Sequence, residues 1–262
     1  MSCQEKVIFD TDLLNVLKRA RHIVVFTGAG VSAESGIPTF RDAQTGLWEK
    51  FDATQLASPQ AYRADKALVW GWYEWRRMHV LKAIPNPAHH AIVKLAEQTE
   101  SLTVITQNVD DLHERAGSVG VIHLHGSLNK PRCFSCSRPY QFSFDMPKEP
   151  EGERRLEPPC CQHCNGSVRP GVVWFGEVVP KVDWQRAEIA VRNCEVLISI
   201  GTSSLVWPAA QIPEDAAKKG ATFIQINPDE TSLDKIAHYN LHGKAGDILP
   251  RLVESIMAHT VR

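Results

Sequence analysis

The chain has 262 residues, of which 43% are hydrophobic and 23% are charged, which is typical of a globular protein with one large domain or a large domain and a smaller module. Its formal net charge of −1 provides no basic field, so the composition argues against a nucleic-acid or membrane-surface partner. No apolar run is long enough to span a bilayer, and the N-terminus lacks the basic start and apolar core of a secretory signal, so we expect a cytoplasmic protein.

The first predicted elements are an amphipathic helix, a strand and a glycine-rich loop. Apolar residues share one face of a helix over 10–21, and the apolar run over 22–26 predicts a buried strand. The loop from Gly28 to Gly36 follows, and because glycines let backbone amides approach an anion, this order is typical of a phosphate site. Ala33 replaces the third glycine of the strict dinucleotide fingerprint, which argues against an ordinary dehydrogenase. Alone, the loop is equally compatible with a nucleotide site and with a plain tight turn.

The rest of the chain alternates short apolar runs with helical patterns. The segment over 40–83 is the exception, since it holds four of the seven tryptophans and no strand pattern, which predicts helices beside the glycine loop. Strands are predicted over 22–26, 102–106, 121–124, 172–175, 196–200 and 222–226. Connecting helices are predicted over 88–98, 110–116, 182–192 and 208–219. This alternation predicts an α/β fold with a parallel sheet covered by helices on both faces.

Polar side chains follow two of these strands at their carboxyl ends. Gln107, Asn108 and Asp110 follow one strand, and His125 follows the next. An open parallel sheet binds ligands at this edge, where amides, a carboxylate and an imidazole suit binding a polar cofactor and moving a proton. Either stretch alone is well explained by ordinary strand-end caps, whereas the two together with the glycine loop favour a site.

Four of the seven cysteines form two Cys-x-x-Cys pairs, Cys133 with Cys136 and Cys161 with Cys164. In an intracellular chain this spacing is typical of a tetrahedral Zn²⁺ site, and a site made of four cysteines is closed and therefore structural. The polar segment between the pairs has too little apolar content for a core of its own, which suits a module stabilised by metal. A redox pair is the alternative, but that function needs one such motif beside a βαβ unit. Cys160, next to Cys161, leaves open which of the two binds the metal.

These motifs together resemble those of the sirtuin family, and the resemblance covers nearly the whole chain in the family's order. The matching motifs are Gly28-Ala29-Gly30-Val31-Ser32, Gly36-Ile37-Pro38-Thr39-Phe40-Arg41, Thr106-Gln107-Asn108-Val109-Asp110, His125-Gly126-Ser127-Leu128, the two cysteine pairs, Arg169-Pro170-Gly171-Val172-Val173-Trp174-Phe175-Gly176-Glu177 and Gly201-Thr202-Ser203-Ser204. Sirtuins are NAD-dependent protein lysine deacylases, so the resemblance implies NAD as co-substrate, one structural zinc, and acyl-lysine proteins or peptides as partners.

The fold that the resemblance implies is a Rossmann-like parallel sheet with helices on both faces plus a small zinc-binding and helical domain, with substrate in the cleft between them. The Rossmann-like domain would comprise 1–40, 84–126 and 170–262. The small domain would comprise a helical module over 41–83 and a zinc module over 127–169.

The same resemblance implies which residues contact NAD. Around the phosphates and the nicotinamide ribose these are Gly28, Ala29, Gly30, Ser32, Ala33, Pro38, Thr39, Phe40, Arg41 and Trp48. At the nicotinamide pocket they are Gln107, Asn108 and Asp110, and at the adenosine half they are Gly201, Thr202, Ser203, Asn227 and Ala245.

The resemblance makes His125 the general base. In this chemistry nicotinamide leaves the ribose as the acyl oxygen of the modified lysine attacks, and His125 then removes a proton from the ribose diol. Water completes the reaction, and the products are the free lysine, nicotinamide and O-acyl-ADP-ribose. An imidazole suits this task because its ordinary pKa is about 6.5. His123, two residues earlier on the same strand face, is the alternative histidine.

A Tyr-x-x-Arg pair, Tyr73 and Arg76, lies on one face of a helix predicted over 67–80. By itself such a pair is more typical of a packed ring and a solvated charge, and Arg77 is an equally good candidate for the buried arginine. In the sirtuin family, however, this pair marks the subgroup that prefers negatively charged acyl groups. An arginine and a phenol would select succinyl, malonyl or glutaryl lysine over acetyl lysine, and the small Ala53 would leave room for the longer chain.

Two other functions remain open at this level. One keeps the fold and makes the protein a mono-ADP-ribosyltransferase, which His125 and a complete acyl-lysine pocket argue against. The other is a module that senses NAD and uses its zinc knuckles on nucleic acid, which the mixed charge between the cysteine pairs and the net charge of −1 argue against. No motif implies a membrane contact or an oligomer.

Overall fold

The computed structural model describes residues 9–38, 56–142 and 155–259. The strands within them are β1 (His22–Thr27), β2 (Ser101–Thr106), β3 (Ile122–His123), β4 (Arg132–Cys133), β5 (Val168–Arg169), β6 (Val196–Ile200), β7 (Thr222–Asn227) and β8 (Tyr239–His242). Six strands form one sheet in the order β3-β2-β1-β6-β7-β8, and every neighbouring pair in it is parallel. β1 pairs with both β2 and β6, so the strand order reverses between β1 and β6. β4 and β5 form a separate antiparallel pair.

The helices connect these strands and begin or end at residues suited to that place. They are α1 (Thr11–Arg19), α2 (Gly30–Ala33), α3 (Pro59–Ala64), α4 (Lys66–Lys82), α5 (Pro87–Ala96), α6 (Leu112–Ala116), α7 (Lys181–Asn193), α8 (Gln211–Lys218) and α9 (Ala245–Ala258). The Asp10 carboxylate accepts the Asp12 amide at 2.7 Å and so begins α1, and the Asn86 side chain does the same for α5. Gly117 ends α6 with φ of 113°, in the region that favours glycine.

The central strands are apolar on both sides because the sheet is buried on both faces. Along β1, Ile23 and Val25 point into a core shared with α1, α5 and α9, whereas Val24 and Phe26 point into a second core shared with α7 and α8. Since successive side chains of a strand point to opposite faces, a strand between two cores needs a continuous apolar run. The predicted α/β sheet with two helical layers is confirmed.

A third core lies outside the sheet, in a region we call the small lobe, which comprises α3, α4, β4, β5 and the cysteine pairs. Its largest fully buried members are Tyr62, Trp72 and Trp174, and the ring centroids of Tyr62 and Trp174 are 5.3 Å apart. β4 and β5 pair over only two residues each. Aromatic packing therefore holds most of this lobe together.

The predicted strand over 172–175 is wrong. Only Val172 makes an isolated bridge, to Gly126, and the segment instead crosses between regions, with Val173 donating its N–H to the His125 carbonyl and Phe175 to the Ala57 carbonyl. Its apolar side chains Val172 and Trp174 pack in the small lobe, so burial there explains a run that resembles a strand. Helix α8 begins at Gln211 rather than at 208.

Two elements near the C-terminus were absent from the predictions. β8 is an edge strand whose four residues are half-buried or exposed, so it lacks the apolar run that marks the inner strands. Helix α9 packs Leu249, Leu252 and Ile256 into the first core. Among the helices of the described segments, none combines the length and the apolar character that a membrane crossing requires.

Candidate active site at the carboxyl edge of the sheet

The loops that follow β1 and β6 meet backbone to backbone where the strand order reverses. Gly28 donates its N–H to the Ile200 carbonyl at 3.0 Å, and Gly30 donates to the Gly201 carbonyl at 2.8 Å. A Cβ on Gly30 would lie 2.7 Å from the Gly201 Cα, closer than side chains tolerate. Glycine is needed at these positions because the two loops contact each other too closely for a Cβ. Both amides already donate to carbonyl groups of the protein. Parallel sheets bind ligands at this crevice.

The segment that follows β2 is tied to both of these loops by short side-chain hydrogen bonds. Gln107 donates from Nε2 to Thr202 Oγ1 at 2.9 Å, and Asn108 donates from Nδ2 to Ser32 Oγ at 3.0 Å. Asp110 is buried and accepts the Leu112 amide at 3.1 Å. The three strand-end segments therefore form one connected polar edge.

Burial raises the pKa of the Asp110 carboxyl above its ordinary value. The Leu112 amide, the Ser32 hydroxyl and the positive charge of His123 act in the opposite direction without cancelling the effect of burial. A buried, desolvated carboxyl beside amide groups is suited to contact a polar ligand rather than water.

His125 lies at this edge with one ring nitrogen occupied. Its Nδ1 is 3.1 Å from the Gln107 carbonyl oxygen, which can only accept, so Nδ1 carries the hydrogen in the neutral ring. Nε2 then carries the lone pair. Burial lowers the pKa of His125 below its ordinary value, although the Gln107 carbonyl acts in the opposite direction. A neutral, oriented imidazole with an open lone pair is the arrangement that a general base needs.

His123 has the same first contact and a different second one. Its Nδ1 lies 3.1 Å from the Asn108 carbonyl oxygen, but its Nε2 lies 2.7 Å from Glu114 Oε1. Burial lowers the pKa of His123, but the hydrogen bond and charge of Glu114 outweigh it, so the pKa is raised. His123 therefore has no free lone pair to accept a proton, which separates it from His125.

The four predicted cysteines form one cluster. The Sγ atoms of Cys133, Cys136, Cys161 and Cys164 all lie within 4.8 Å of one another. The Cys133–Cys164 and Cys136–Cys161 sulfur separations are 3.5 and 3.8 Å, close to the roughly 3.8 Å that tetrahedral Zn²⁺ with four thiolates requires. Backbone amides donate to the cluster as well, as Cys136 does to Cys133 Sγ at 3.4 Å. The cluster fits one structural zinc, and its fourth position belongs to Cys161, because Cys160 lies outside it.

Tyr73 and Arg76 lie on one face of α4, where Tyr73 is buried and Arg76 is half-buried. The buried Tyr73 hydroxyl accepts a hydrogen bond from Trp174 Nε1 at 3.0 Å, which leaves its own proton available. Arg76 Cζ lies 4.9 Å from the Trp72 ring centroid and 5.8 Å from that of Tyr73. Burial lowers the pKa of the Arg76 guanidinium, whereas its interactions with Tyr73 and Asp110 act in the opposite direction. Burial raises the pKa of the Tyr73 phenol to about 12.

The more buried arginine of this helix is Arg77. It forms an ion pair with Glu74, with Nη2 and Oε2 3.1 Å apart, and its Cζ lies 3.6 Å from the Phe142 ring centroid. Arg77 therefore stabilises the helix and its surroundings, and Arg76 is left as the arginine on the Tyr73 face.

The remaining predicted cofactor residues differ in their surroundings. Ser203 is exposed, Asn227 is half-buried at the end of β7, and Ala245 is buried in the first turn of α9. The adjacent Gly246 amide donates to the Glu34 carboxylate at 2.7 Å, which brings α9 to the loop after α2. Gly28, Ala29 and Ala33 lie along the first glycine loop, which Pro38 ends. Thr39, Phe40, Arg41, Trp48 and Ala53 lie outside the described residues.

Sequence reasoning assigned no role to the residues that support these groups. Arg169 forms a bidentate ion pair with Glu177, and its Cζ lies 3.5 Å from the ring centroid of Trp174, which in turn contacts Tyr73. Glu114 distinguishes the two histidines. The motif from Arg169 to Glu177 matches the family in sequence. The ion pair between Arg169 and Glu177 depends on a chain turn that sequence periodicity does not indicate.

Comparison with known proteins is consistent with this geometry. The sequence pattern of the Sir2 family matches residues 28–208. An "NAD-dependent protein deacylase" of Methylococcus capsulatus is 60% identical over 95% of this chain and 97% of its own. A solved complex of a Sir2 homologue with NAD has a TM-score of 0.89 at 46% identity, covering 96% of this chain and 95% of that one. A Sir2 homologue mutant bound to 2′-O-acetyl ADP ribose has a TM-score of 0.87 at 45% identity, covering 95% and 97%.

Proposed function

Because the chain belongs to the Sir2 family, we propose that it is an NAD-dependent protein deacylase that moves an acyl group from lysine to ADP-ribose. The observation that carries the proposal is His125, whose neutral ring has its Nδ1 hydrogen directed to the Gln107 carbonyl and whose Nε2 has no hydrogen-bond partner among the described residues. The relatives named for this activity, and the homologue complexes with NAD and with an acetylated ADP-ribose, support it.

The residues at the sheet edge fit NAD in character. When bound, NAD supplies a ribose carbon activated by its nicotinamide leaving group. We assign Gln107, Asn108 and Asp110 to the nicotinamide end, because Asn108 and Asp110 are buried and their polar loop is hydrogen-bonded to both glycine loops. Ser204 Oγ, in the loop after β6, is buried with no partner among the described residues, as expected where a polar ligand completes a site. The adenosine half is assigned to Gly201, Thr202, Ser203, Asn227 and Ala245.

His125 acts as the general base in this scheme. Its Nε2 takes a proton from a ribose hydroxyl, which makes that oxygen nucleophilic toward the acyl carbon. The bond from Nδ1 to Gln107 holds the ring in the tautomer that this step needs and stabilises the imidazolium that forms. Burial favours the neutral ring before the step.

The substrate that we propose carries a carboxylate on its acyl group, as succinyl, malonyl and glutaryl lysine do. Arg76 offers a guanidinium stacked on Trp72 and Tyr73, and Tyr73 offers a hydroxyl proton because Trp174 already fills its acceptor position. A carboxylate is recognised best by such a charged and directional pair. Acetyl lysine lacks the carboxylate and would be a weaker substrate.

The test is mass spectrometry of matched succinyl-lysine and acetyl-lysine peptides incubated with the protein, with and without NAD. We expect NAD-dependent loss of succinyl, faster than loss of acetyl, with O-succinyl-ADP-ribose among the products. Faster loss of acetyl would contradict the acidic-acyl proposal and leave the deacylase standing. No NAD-dependent loss of either group, with label from NAD retained on protein, would favour the ADP-ribosyltransferase alternative.

A further inference from the structure

We propose that His123 is a positioning residue that works as an imidazolium, anchoring the Asn108 carbonyl and placing a positive charge beside Asp110. It would thereby hold the 107–110 segment in the conformation that receives the nicotinamide end of NAD. The inference rests on the proposed function only in assigning that segment to the cofactor. The protonation of His123 itself follows from its contacts.

Both ring nitrogens of His123 face oxygens that can only accept. Nδ1 lies 3.1 Å from the Asn108 carbonyl and Nε2 lies 2.7 Å from Glu114 Oε1. Burial raises the pKa of Glu114, but its hydrogen bond to His123 outweighs burial and leaves the pKa lowered, so Glu114 is an ionised acceptor. Two acceptors at hydrogen-bond distance require two N–H groups, and a histidine has two only when it is protonated.

The other groups around His123 favour this state. Asp110 faces it from the loop after β2, and each of the two charges favours the ionised form of the other. His113, on α6 with Glu114, is kept neutral because burial lowers its pKa to about 4. Arg186 of α7 donates to the Gly120 carbonyl at 3.0 Å, at the opposite end of β3 from the site. The net local charge without His123 is therefore negative.

Loss of the proton would break this arrangement. A neutral His123 has one N–H, so either the Asn108 carbonyl loses its donor or a ring lone pair faces the Glu114 carboxylate. Asn108 and Gln107 would keep their bonds to Ser32 and Thr202, so the segment would loosen rather than unfold. NAD binding should then weaken as the pH rises through the pKa of His123, which lies above 6.5.

The experiment measures the dissociation constant of NAD by calorimetry between about pH 6 and pH 9, together with ¹⁵N NMR of the histidine rings. In the wild type we expect about tenfold weaker binding at the alkaline end, since hydrogen bonds to charged groups are of this strength. The NMR spectra should show His123 doubly protonated at neutral pH while His125 is neutral.

Two variants separate positioning from a merely structural role. Glu114→Gln removes the partner charge, so the midpoint of the NAD curve should move to lower pH. Glu188→Gln, at an exposed glutamate of α7, is the matched control and should leave the curve unchanged. His123→Phe should bind NAD about tenfold more weakly at every pH, with the pH dependence gone.

The inference is overturned if NMR finds His123 neutral at neutral pH. It is also overturned if Glu114→Gln leaves the midpoint in place, or if His123→Phe weakens binding while the pH dependence persists. Binding of NAD is measured without any acyl peptide, so a failure of deacylation would appear separately. Absence of NAD binding in the wild type would end both proposals.

Discussion

The carboxyl edge of the sheet and the small lobe position their side chains by different means. At the edge, parallel strands set the places of the loops, and short hydrogen bonds such as Gln107 to Thr202 join them. In the small lobe, packed rings and thiol groups set the places, as when Trp174 fixes Tyr73. The proposed catalytic step therefore depends on the backbone register of the strands, whereas the proposed preference for an acyl group depends on side-chain packing. The second is the easier to change by substitution, because it depends on few residues.

The largest effect is expected at the sheet edge. His125→Asn removes the proposed base, so turnover should fall about 10³-fold on succinyl and acetyl peptides alike. Steady-state kinetics on both peptides measures this, with His90→Asn, at an exposed histidine of α5, as the control. A loss of turnover with only one of the two peptides would show that His125 affects acyl-group preference. The proposed difference between the two regions would then be contradicted.

The next effect tests what holds the small lobe together. Cys161→Ser removes one metal ligand, so zinc should be lost and the free energy of unfolding should fall by about 4 kcal/mol or more. Metal analysis and denaturant unfolding measure the two quantities. Cys160→Ser is the matched control, since Cys160 lies outside the cluster, and it should change stability by less than about 0.5 kcal/mol. Equal zinc loss in both variants would contradict the assignment.

Arg76→Met tests whether the small lobe chooses the acyl group. We expect a loss of about 2–4 kcal/mol in transition-state binding of succinyl substrates, because the carboxylate loses its guanidinium partner. Acetyl turnover should stay within about twofold, since acetyl has no carboxylate. Values of kcat/KM on both peptides measure this, with Arg63→Met, whose guanidinium stacks on Phe134, as the control in the same lobe. An equal drop on both peptides would make Arg76 structural.

Tyr73→Phe should give a smaller effect of the same kind. It removes one neutral hydrogen bond to the acyl carboxylate, so kcat/KM on succinyl peptide should fall by about 1 kcal/mol, and acetyl kinetics should hold. Because burial raises the pKa of the phenol to about 12, Tyr73 stays protonated and the wild-type preference should not change at moderately alkaline pH. If the preference for succinyl over acetyl peptide declined at about pH 10, the ordinary pKa of tyrosine, the buried environment described for Tyr73 would be contradicted.

The smallest expected effect is the pH dependence that the proposed base, His125, gives to catalysis near neutral pH. Since the neutral form of His125 is the active one and its pKa lies below 6.5, kcat/KM for the peptide, measured at saturating NAD, should rise with pH through a midpoint below that value and then level off. The acetyl peptide is the substrate to use, because a succinyl carboxylate titrates in the acid range itself. A midpoint above 6.5 would show that the base is not the buried ring described above.

Much of the fold was predictable because it depends on local periodicity. The apolar runs over 22–26, 102–106, 196–200 and 222–226 each became an inner strand, since a sheet buried on both faces needs uninterrupted apolar residues. The run over 172–175 did not, because its apolar side chains are buried in the small lobe rather than in the sheet. Edge strand β8 was not predicted, since an exposed edge needs no apolar run.

The sequence by itself determined the α/β class, the two cysteine pairs and the polar residues that end β2 and β3. These follow from periodicity and spacing within a few residues, which local sterics and burial dictate. Only the tertiary structure shows the surroundings that distinguish Cys161 from Cys160, Arg76 from Arg77, and His125 from His123. Each of these differences depends on a neighbouring side chain that is close only in the folded chain, such as Glu114 beside His123 or Trp174 beside Tyr73. A side chain's proton and hydrogen bonds belong to its surroundings, and those surroundings exist only once the chain has folded.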